Sequence, residues 1–512
     1  MSKWLIILLI FSFSLSLRLW TINQMGRTWD ESQYIEQGYK MIELIKNGDF
    51  NNSFFYTTYD HPPLVKYLYG TTAHLDVEKR LANGNAIFKY DLTYSRLLSA
   101  VLFSLGVVIT ILIGWKISSK LVGFFSGVIL AMLPFSLGLS QLVTTESLKI
   151  FIYPLTILAY ILLVERFSWR RVLVSGILTG IALQSKQSNF LLILMLCVAF
   201  LFQYKQLKTK EKIIFLQTRI KAILSIFLIS IMVFVLIWPQ LIFHFKDVYM
   251  IHEKLWNVQF SSKIWQITLS PPEVFFGKLM LTPIFYYAVY FFITIPVIIL
   301  FLFFVGAKQI IKKRNVNLIL VFIWFLLPFC LSIYSWRQHG LRYIIEIYPP
   351  LSLISAVGFN LLLTKFKIKE RLKPFYFLPI AFYLFVLLLQ IKPYYLDYFN
   401  ELVGGVNNVY GYKSFQIGWW GQGIREAAFY VGSRAPKNST LGLAVSPLLS
   451  VPPLPNLKSE KYDHRKIYDY VIVNYYNVLR EGFDDSFIRE KYKPIYFVKA
   501  NEAILVTVYK LK

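Results

Sequence analysis

Cysteine is nearly absent: Cys197 and Cys330 are the only two in 512 residues. Both fall inside apolar runs, so a disulfide framework or a metal–thiolate centre is excluded. Charge is also scarce, at 16% of residues, against about 25% in a soluble globular domain. Acid is the scarcer sign, with 28 Asp and Glu against 54 Lys and Arg. Internal repeats and low-complexity tails are missing too, which argues against solenoids and disordered arrays. What fills the chain is apolar: 56% hydrophobic and 18% aromatic residues, with a mean hydropathy of +0.52. Such a composition belongs to a membrane protein.

Apolar runs of near-spanning length occur at 4–20, 97–114, 121–139, 148–164, 172–184, 189–203, 220–243, 284–305, 317–335, 343–363 and 375–391, eleven in all. The fifth and sixth are short and joined by Gln184-Ser185-Lys186-Gln187-Ser188, which also reads as a re-entrant pair. Lys and Arg in short loops set orientation. With a cytoplasmic N-terminus, loops 115–120, 165–171, 204–221, 307–316 and 364–374 hold 20 basic residues, while 140–147, 185–189 and 336–342 hold 3. This alternation predicts a multi-pass plasma-membrane protein with 21–92, 244–283 and the C-terminal tail outside. It also explains the net charge of +26 without nucleic acid, because anionic lipid attracts base at membrane ends. Residues 1–20 show no small-residue cleavage site before Asn23 and read as an uncleaved first helix.

From Tyr394 the apolar runs stop. A short helix over Ile424–Val431 and strand-like runs at Leu441–Val445, Tyr470–Val473 and Ala503–Tyr509 predict a small α/β domain. Pro447–Pro455 reads as a loop within it. The expected division is therefore a membrane unit, 1–391, and a soluble extracytoplasmic domain, 392–512. Its segment Gly418-Trp419-Trp420-Gly421-Gln422-Gly423 offers a sugar-stacking surface, an interfacial anchor or plain core packing.

Two acidic pieces mark the first outer loop: Trp29-Asp30-Glu31 and Asp60-His61-Pro62-Pro63-Leu64. Tyr34, Ile35, Gly38, Met41, Ile42 and Ile45 recur at helical spacing, predicting an amphipathic helix that lies in the membrane interface. A second helix is expected to open at Pro62-Pro63. Asp30 reads as the N-cap of the first helix, with Gln33 completing a capping box, and Asp60 as the cap of the second. A capping carboxylate can still accept a proton, so cap and catalytic base are compatible roles. Glu146, after Thr144-Thr145, reads as the first-turn acid of a span. Lys186 is the lone charge of its turn, either snorkelling to the interface or meeting a phosphate. Arg337, His339 and Arg342 crowd an outer turn where topology disfavours positive charge, and they suit a phosphate. His61 reads as a structural histidine or as one ligand of a divalent ion, with no complete metal set around it.

Taken together, Asp30-Glu31, the Asp60–Leu64 motif with Lys66, Thr144-Thr145-Glu146-Ser147 and Arg342-Tyr343-Ile344-Ile345-Glu346-Ile347-Tyr348-Pro349 resemble the protein O-mannosyltransferases of glycosyltransferase family 39. The related lipid A aminoarabinose transferases share a comparable layout, and both belong to the GT-C superfamily. The resemblance covers roughly residues 1–390. It implies a GT-C fold: an α-helical polytopic protein of about eleven transmembrane helices with amphipathic helices in the first outer loop. It implies an inverting transfer of a sugar, a mannose-like hexose or a relative, from a polyprenyl-phosphate donor to a hydroxyl outside the membrane. Asp30 would be the general base, Glu31 its support, and Glu146 a further acid of the site. Lys66, Lys186, Arg337, His339 and Arg342 would face the phosphate, with Asp60-His61 shaping the wall. No cofactor is required, and a divalent cation is permitted. Two departures stand out: the second outer loop, 244–283, has no room for an inserted MIR-type domain, and the chain ends in a soluble domain instead of further spans. The acceptor, whether protein, lipid or glycan, is therefore not carried over. Two other classes stay open: a lipid transporter or flippase, which would favour inverted repeats not found here, and a polysaccharide polymerase or ligase.

Overall fold

The computed structural model describes residues 3–57, 61–75, 92–250, 253, 272–313, 315–332 and 337–512. It is mainly helical. We label the helices α1 (Lys3–Leu19), α2 (Trp29–Lys46), α3 (Leu64–Leu75), α4 (Thr93–Ile117), α5 (Lys120–Met132), α6 (Thr145–Glu165), α7 (Trp169–Ser185), α8 (Leu191–Gln206) and α9 (Thr209–Ile237). The series continues with α10 (Tyr286–Thr294), α11 (Val297–Lys313), α12 (Val316–Leu331), α13 (Tyr348–Lys365), α14 (Lys373–Ile391) and α15 (Ile424–Arg434).

The described parts of the predicted apolar runs fall mainly on helix, but proline divides three of them; the run at 220–243 breaks at Pro239, after α9 ends at Ile237. The run at 121–139 breaks where α5 ends at Met132, ahead of Pro134. The run at 284–305 bends by 115° between α10 and α11, where Pro296 cannot donate to the helical ladder. Among the described residues, six helices are long and apolar enough to cross a membrane, or seven if the bent pair is one span. That is fewer than the eleven spans expected from sequence; α5 and α12 are apolar but shorter.

Burial separates lipid-facing from interior helices. α9 leaves Leu224, Leu228, Met232 and Leu236 exposed, as expected for a helix whose backbone is satisfied internally and whose side chains meet lipid. By contrast α6 and α13 are buried nearly along their length, and they sit at the centre of the bundle.

The two first-loop helices pack on each other. A Cβ added at Gly38 would lie 2.2 Å from the Lys66 carbonyl oxygen, and one at Gly70 would lie 2.3 Å from that of Gly38, so only glycine allows this crossing. The apolar stripe of α2 therefore spends Tyr34, Ile35 and Met41 on protein contacts, and all three are buried. That stripe is covered by protein, with α3 against it.

The C-terminal region carries a five-stranded sheet of order β4-β3-β5-β7-β6. Its strands are β3 (Thr440–Ala444), β4 (Lys458–Lys461), β5 (Tyr470–Asn474), β6 (Tyr492–Ala500) and β7 (Ala503–Leu511). β3 runs parallel to β4 and β5, whereas β7 runs antiparallel to β5 and β6. A hairpin, β1 (Pro272–Phe275) and β2 (Lys278–Leu281), precedes α10 and touches this region through the Phe275–Phe415 bridge. Asn400 joins the two parts. Its side-chain amide donates to the Phe292 and Ile295 carbonyls at 2.6 Å each, and its backbone N–H donates to Ile293 at 2.8 Å. The carbonyls released by the break at Pro296 are satisfied in this way.

Candidate active site

The N-terminus of α2 fixes the first acids. Thr28 is the N-cap residue, and its backbone N–H donates to Glu31 Oε2 at 2.9 Å. The capping register is therefore Thr28–Glu31, and the expected Asp30–Gln33 box is corrected. Thr and Asp are both good caps; tertiary partners decide between them. Glu31 lies fully buried, and Arg96 grips it with Nε–Oε1 and Nη2–Oε2 contacts of 2.8 Å each. The Val143 N–H also donates to Oε1 at 3.1 Å, and Arg96 donates onward to the Ile22, Met25 and Gly26 carbonyls. Such a fully bonded acid ties α2, α4 and the turn before α6 together.

Asp30, one position earlier, turns the other way. Its side chain keeps 21% of its exposure and accepts a hydrogen bond from Arg342 Nη2. Arg342 Nε donates to Glu146 Oε1 at 3.2 Å, and Lys186 Nζ reaches the same oxygen at 3.3 Å. Asp30, Arg342, Glu146 and Lys186 thus form one chain of alternating charge from four separate segments. Asp30 and Glu146 each stand at the second position of a helix, so two positive helix ends converge here. The turn that carries Glu146 is pinned by Tyr69, whose hydroxyl donates to the Thr144 carbonyl at 3.0 Å.

A second pair lies one turn deeper: Lys149 Nζ is 2.7 Å from Glu346 Oε2 and donates to Ser188 Oγ at 3.1 Å. Lys149 follows Glu146 by three residues and Glu346 follows Arg342 by four, so both carriers repeat the pairing with signs exchanged. Aromatic rings close the site. Tyr343 sits 5.2 Å from Lys186 Nζ, and Trp420 lies 4.2 Å from Arg342 Cζ.

The remaining candidates are placed less centrally. Lys66 is buried on α3 against α2, and His61 stacks on Tyr34 at 6.0 Å. Asp60 lies outside the described residues. Arg337 turns to the hairpin, donating from Nε to the Thr282 carbonyl at 3.3 Å while Thr282 Oγ1 donates back to its carbonyl, apart from the Asp30–Arg342 chain. His339 stacks on Trp419 at 4.2 Å, and its backbone N–H donates to Glu273 at 2.7 Å. Burial and the nearby Arg342 and Arg480 hold its imidazole well below the ordinary histidine range.

Arg96, Lys149, Glu346 and Glu273 were not singled out from sequence. Lys149 and Glu346 did carry a signal, since each is a charge inside an apolar helix one turn from a candidate. Among the described residues no group of three or more His, Cys, Asp or Glu side chains is arranged to hold a metal ion.

Residues 60–238 match the family described as dolichyl-phosphate-mannose-protein mannosyltransferase, a segment that contains His61, Lys66, Glu146 and Lys186. Among solved structures, ArnT from Cupriavidus metallidurans bound to undecaprenyl phosphate superposes with a TM-score of 0.50 at 14% identity, covering 99% of this chain and 98% of that one. The chain shares the GT-C fold of that structure. More distant likenesses extend to AglB from Archaeoglobus fulgidus in complex with an inhibitory peptide and a dolichol-phosphate, at TM-score 0.46 and 12% identity over 99% of this chain and 74% of that one. The Pmt1–Pmt2 complex of S. cerevisiae, bound to the sugar donor, gives TM-score 0.36 and 12% identity over 54% and 39%. No curated protein matches the sequence significantly. Within this fold the charged chain sits where the first loop, the α6 turn and the approach to α13 meet.

Proposed function

We propose that this GT-C protein is an inverting glycosyltransferase that moves a sugar, a mannose-like hexose or a relative, from a polyprenyl-phosphate donor to an acceptor hydroxyl on the outer face of the membrane. The observation that carries the reading is the Asp30–Arg342–Glu146–Lys186 chain: a partly open carboxylate bonded to one of two cations that a shared buried acid holds together, as a phosphate would need. The donor class follows the undecaprenyl phosphate of the ArnT structure, whose fold this chain shares. The outer face follows the Lys and Arg bias of the loops.

In the free protein two acids and two bases cancel one another's charge. A donor phosphate between Arg342 and Lys186 competes with Asp30 for the guanidinium, and planar Arg suits bidentate phosphate binding. Asp30 is thereby released to accept the proton of the acceptor hydroxyl. The acceptor oxygen attacks the anomeric carbon from the face opposite the phosphate, the carbon–oxygen bond to phosphate breaks, and polyprenyl phosphate leaves with the electron pair. Arg342 and Lys186 stabilise its charge where it develops, while Glu146 keeps both cations in place. This chemistry uses no cofactor, and the acceptor, protein, lipid or glycan, is left to experiment.

The test is purified protein in lipid nanodiscs with polyprenyl-phosphate hexoses and a panel of hydroxyl acceptors. Release of polyprenyl phosphate with inverted glycoside supports the proposal. Labelled donor carried across a vesicle bilayer without any sugar transfer would establish the transporter reading instead. Consumption of lipid-linked oligosaccharide but not of a monosaccharide donor would favour the polymerase or ligase.

A further inference from the structure

The Gly418–Gly423 turn belongs in sequence to the C-terminal domain, yet it reaches the charged chain. Gly418, Gly421 and Gly423 take φ values of +70°, +82° and +85°, which L side chains adopt only with strain. The turn is held from below. Asp397 accepts from the Gly418 N–H at 2.7 Å and from Gln422 Nε2 at 3.4 Å, and Gln422 Oε1 accepts from the Trp420 N–H at 2.8 Å. The indoles are fixed against each other at 4.6 Å and are almost fully buried. Trp420 faces the Arg342 guanidinium, and Trp419 covers His339, three residues before it. A second anchor lies beside Asp30: Ser450 Oγ donates to the Arg27 carbonyl at 2.7 Å.

Arg342 is thus held on one edge by Asp30 and Glu146 and on its face by an indole. When a phosphate draws Arg342 off Asp30, the indole is the contact that can stay. A cation over Trp keeps its in-plane N–H groups free for oxygen ligands. We propose that Trp420 is a positioning residue for the donor phosphate: it orients Arg342, so the C-terminal domain completes the site. The inference rests on the glycosyltransferase reading, since it takes the ligand of Arg342 to be the donor phosphate.

The experiment measures binding of undecaprenyl phosphate to the full-length protein in nanodiscs, alongside donor KM and kcat. Trp420→Leu should weaken binding by about 5- to 30-fold, the range of a desolvated cation–π contact, and should raise KM far more than it lowers kcat. Trp420→Phe, which keeps a weaker π face, should fall between the two and serves where the Leu variant folds poorly. In an Arg342→Gln background the Leu substitution should cost nothing further. Equal losses in both backgrounds, or wild-type affinity in Trp420→Leu, would overturn the proposal. Wild-type protein that binds undecaprenyl phosphate but transfers no sugar would sink the functional reading while leaving the positioning role standing. Wild-type protein that binds none would overturn both.

Discussion

Glu31→Gln and Asp30→Asn change neighbouring acids by one charge each, and the structure predicts opposite consequences. Glu31 is buried with four donor contacts: two from Arg96 and one each from the Thr28 and Val143 backbones. Gln can accept on one atom only, and its amide N–H groups would then point at the Arg96 guanidinium, donor against donor. Arg96, 1% exposed on its side chain, keeps its three carbonyl contacts but loses its countercharge. Removing one partner of a buried ion pair costs about 3–5 kcal/mol, and the orphaned Val143 or Thr28 N–H adds about 1 kcal/mol or more. Asp30 is partly exposed and bonded to Arg342 alone among the described contacts, so Asn there should cost under about 1 kcal/mol. Thermal unfolding in one detergent, followed by tryptophan fluorescence, would show Glu31→Gln melting several degrees below wild type and Asp30→Asn near it. Transfer activity, scaled to folded protein, would survive in the first and collapse in the second. A Glu31→Gln protein as stable as wild type but inactive would refute the assignment of Glu31 to the scaffold.

Lys186→Met should raise donor KM by about tenfold or more with a smaller effect on donor-independent stability, because its ammonium is assigned to the phosphate; unchanged KM would remove it from the site. Asp397 and Glu273 are both buried carboxyls pushed up to about 7, chiefly by burial. A raised folded-state value means the folded protein binds the proton more tightly, so stability is highest below about pH 4 on this account and falls as pH rises to about 7. Asp397→Asn, which keeps an acceptor for Gly418, should flatten that slope and stabilise by roughly 4 kcal/mol at pH 8 but not at pH 4; melting curves at the two values check it. Asn400→Ala unpairs the Phe292 and Ile295 carbonyls at the broken helix, and should cost about 1–3 kcal/mol in the same melts.

Much of this was legible in the residues because membrane proteins make charge conspicuous. Asp30, Glu146, Lys186 and Arg342 each stood out as a charge where the bilayer makes charge costly, and the structure brings these four together. What periodicity could not show is which neighbour each would meet. Asp30 and Thr28 are equally able caps, and the register was settled by Arg96, 65 residues from Glu31. The stripe on α2 has the same spacing whether lipid or α3 covers it; the Gly38–Gly70 crossing decides. Arg337, His339 and Arg342 look alike in sequence, yet Arg342 turns to Asp30 and Glu146 while Arg337 donates to the Thr282 carbonyl and His339 stacks on Trp419. Trp419 and Trp420 left sugar stacking, membrane anchoring and core packing open; the structure buries both and packs them on the turn that carries Arg342.

The central claim is that Asp30 is a base beside a cationic phosphate cradle. Paired binding and turnover measurements on Asp30→Asn with one polyprenyl-phosphate hexose test it most directly. The account predicts donor binding at least as tight as wild type, since Arg342 loses a competitor, with kcat reduced by about 100-fold or more. Full turnover in the folded Asn variant, or donor binding lost in step with activity, would contradict it.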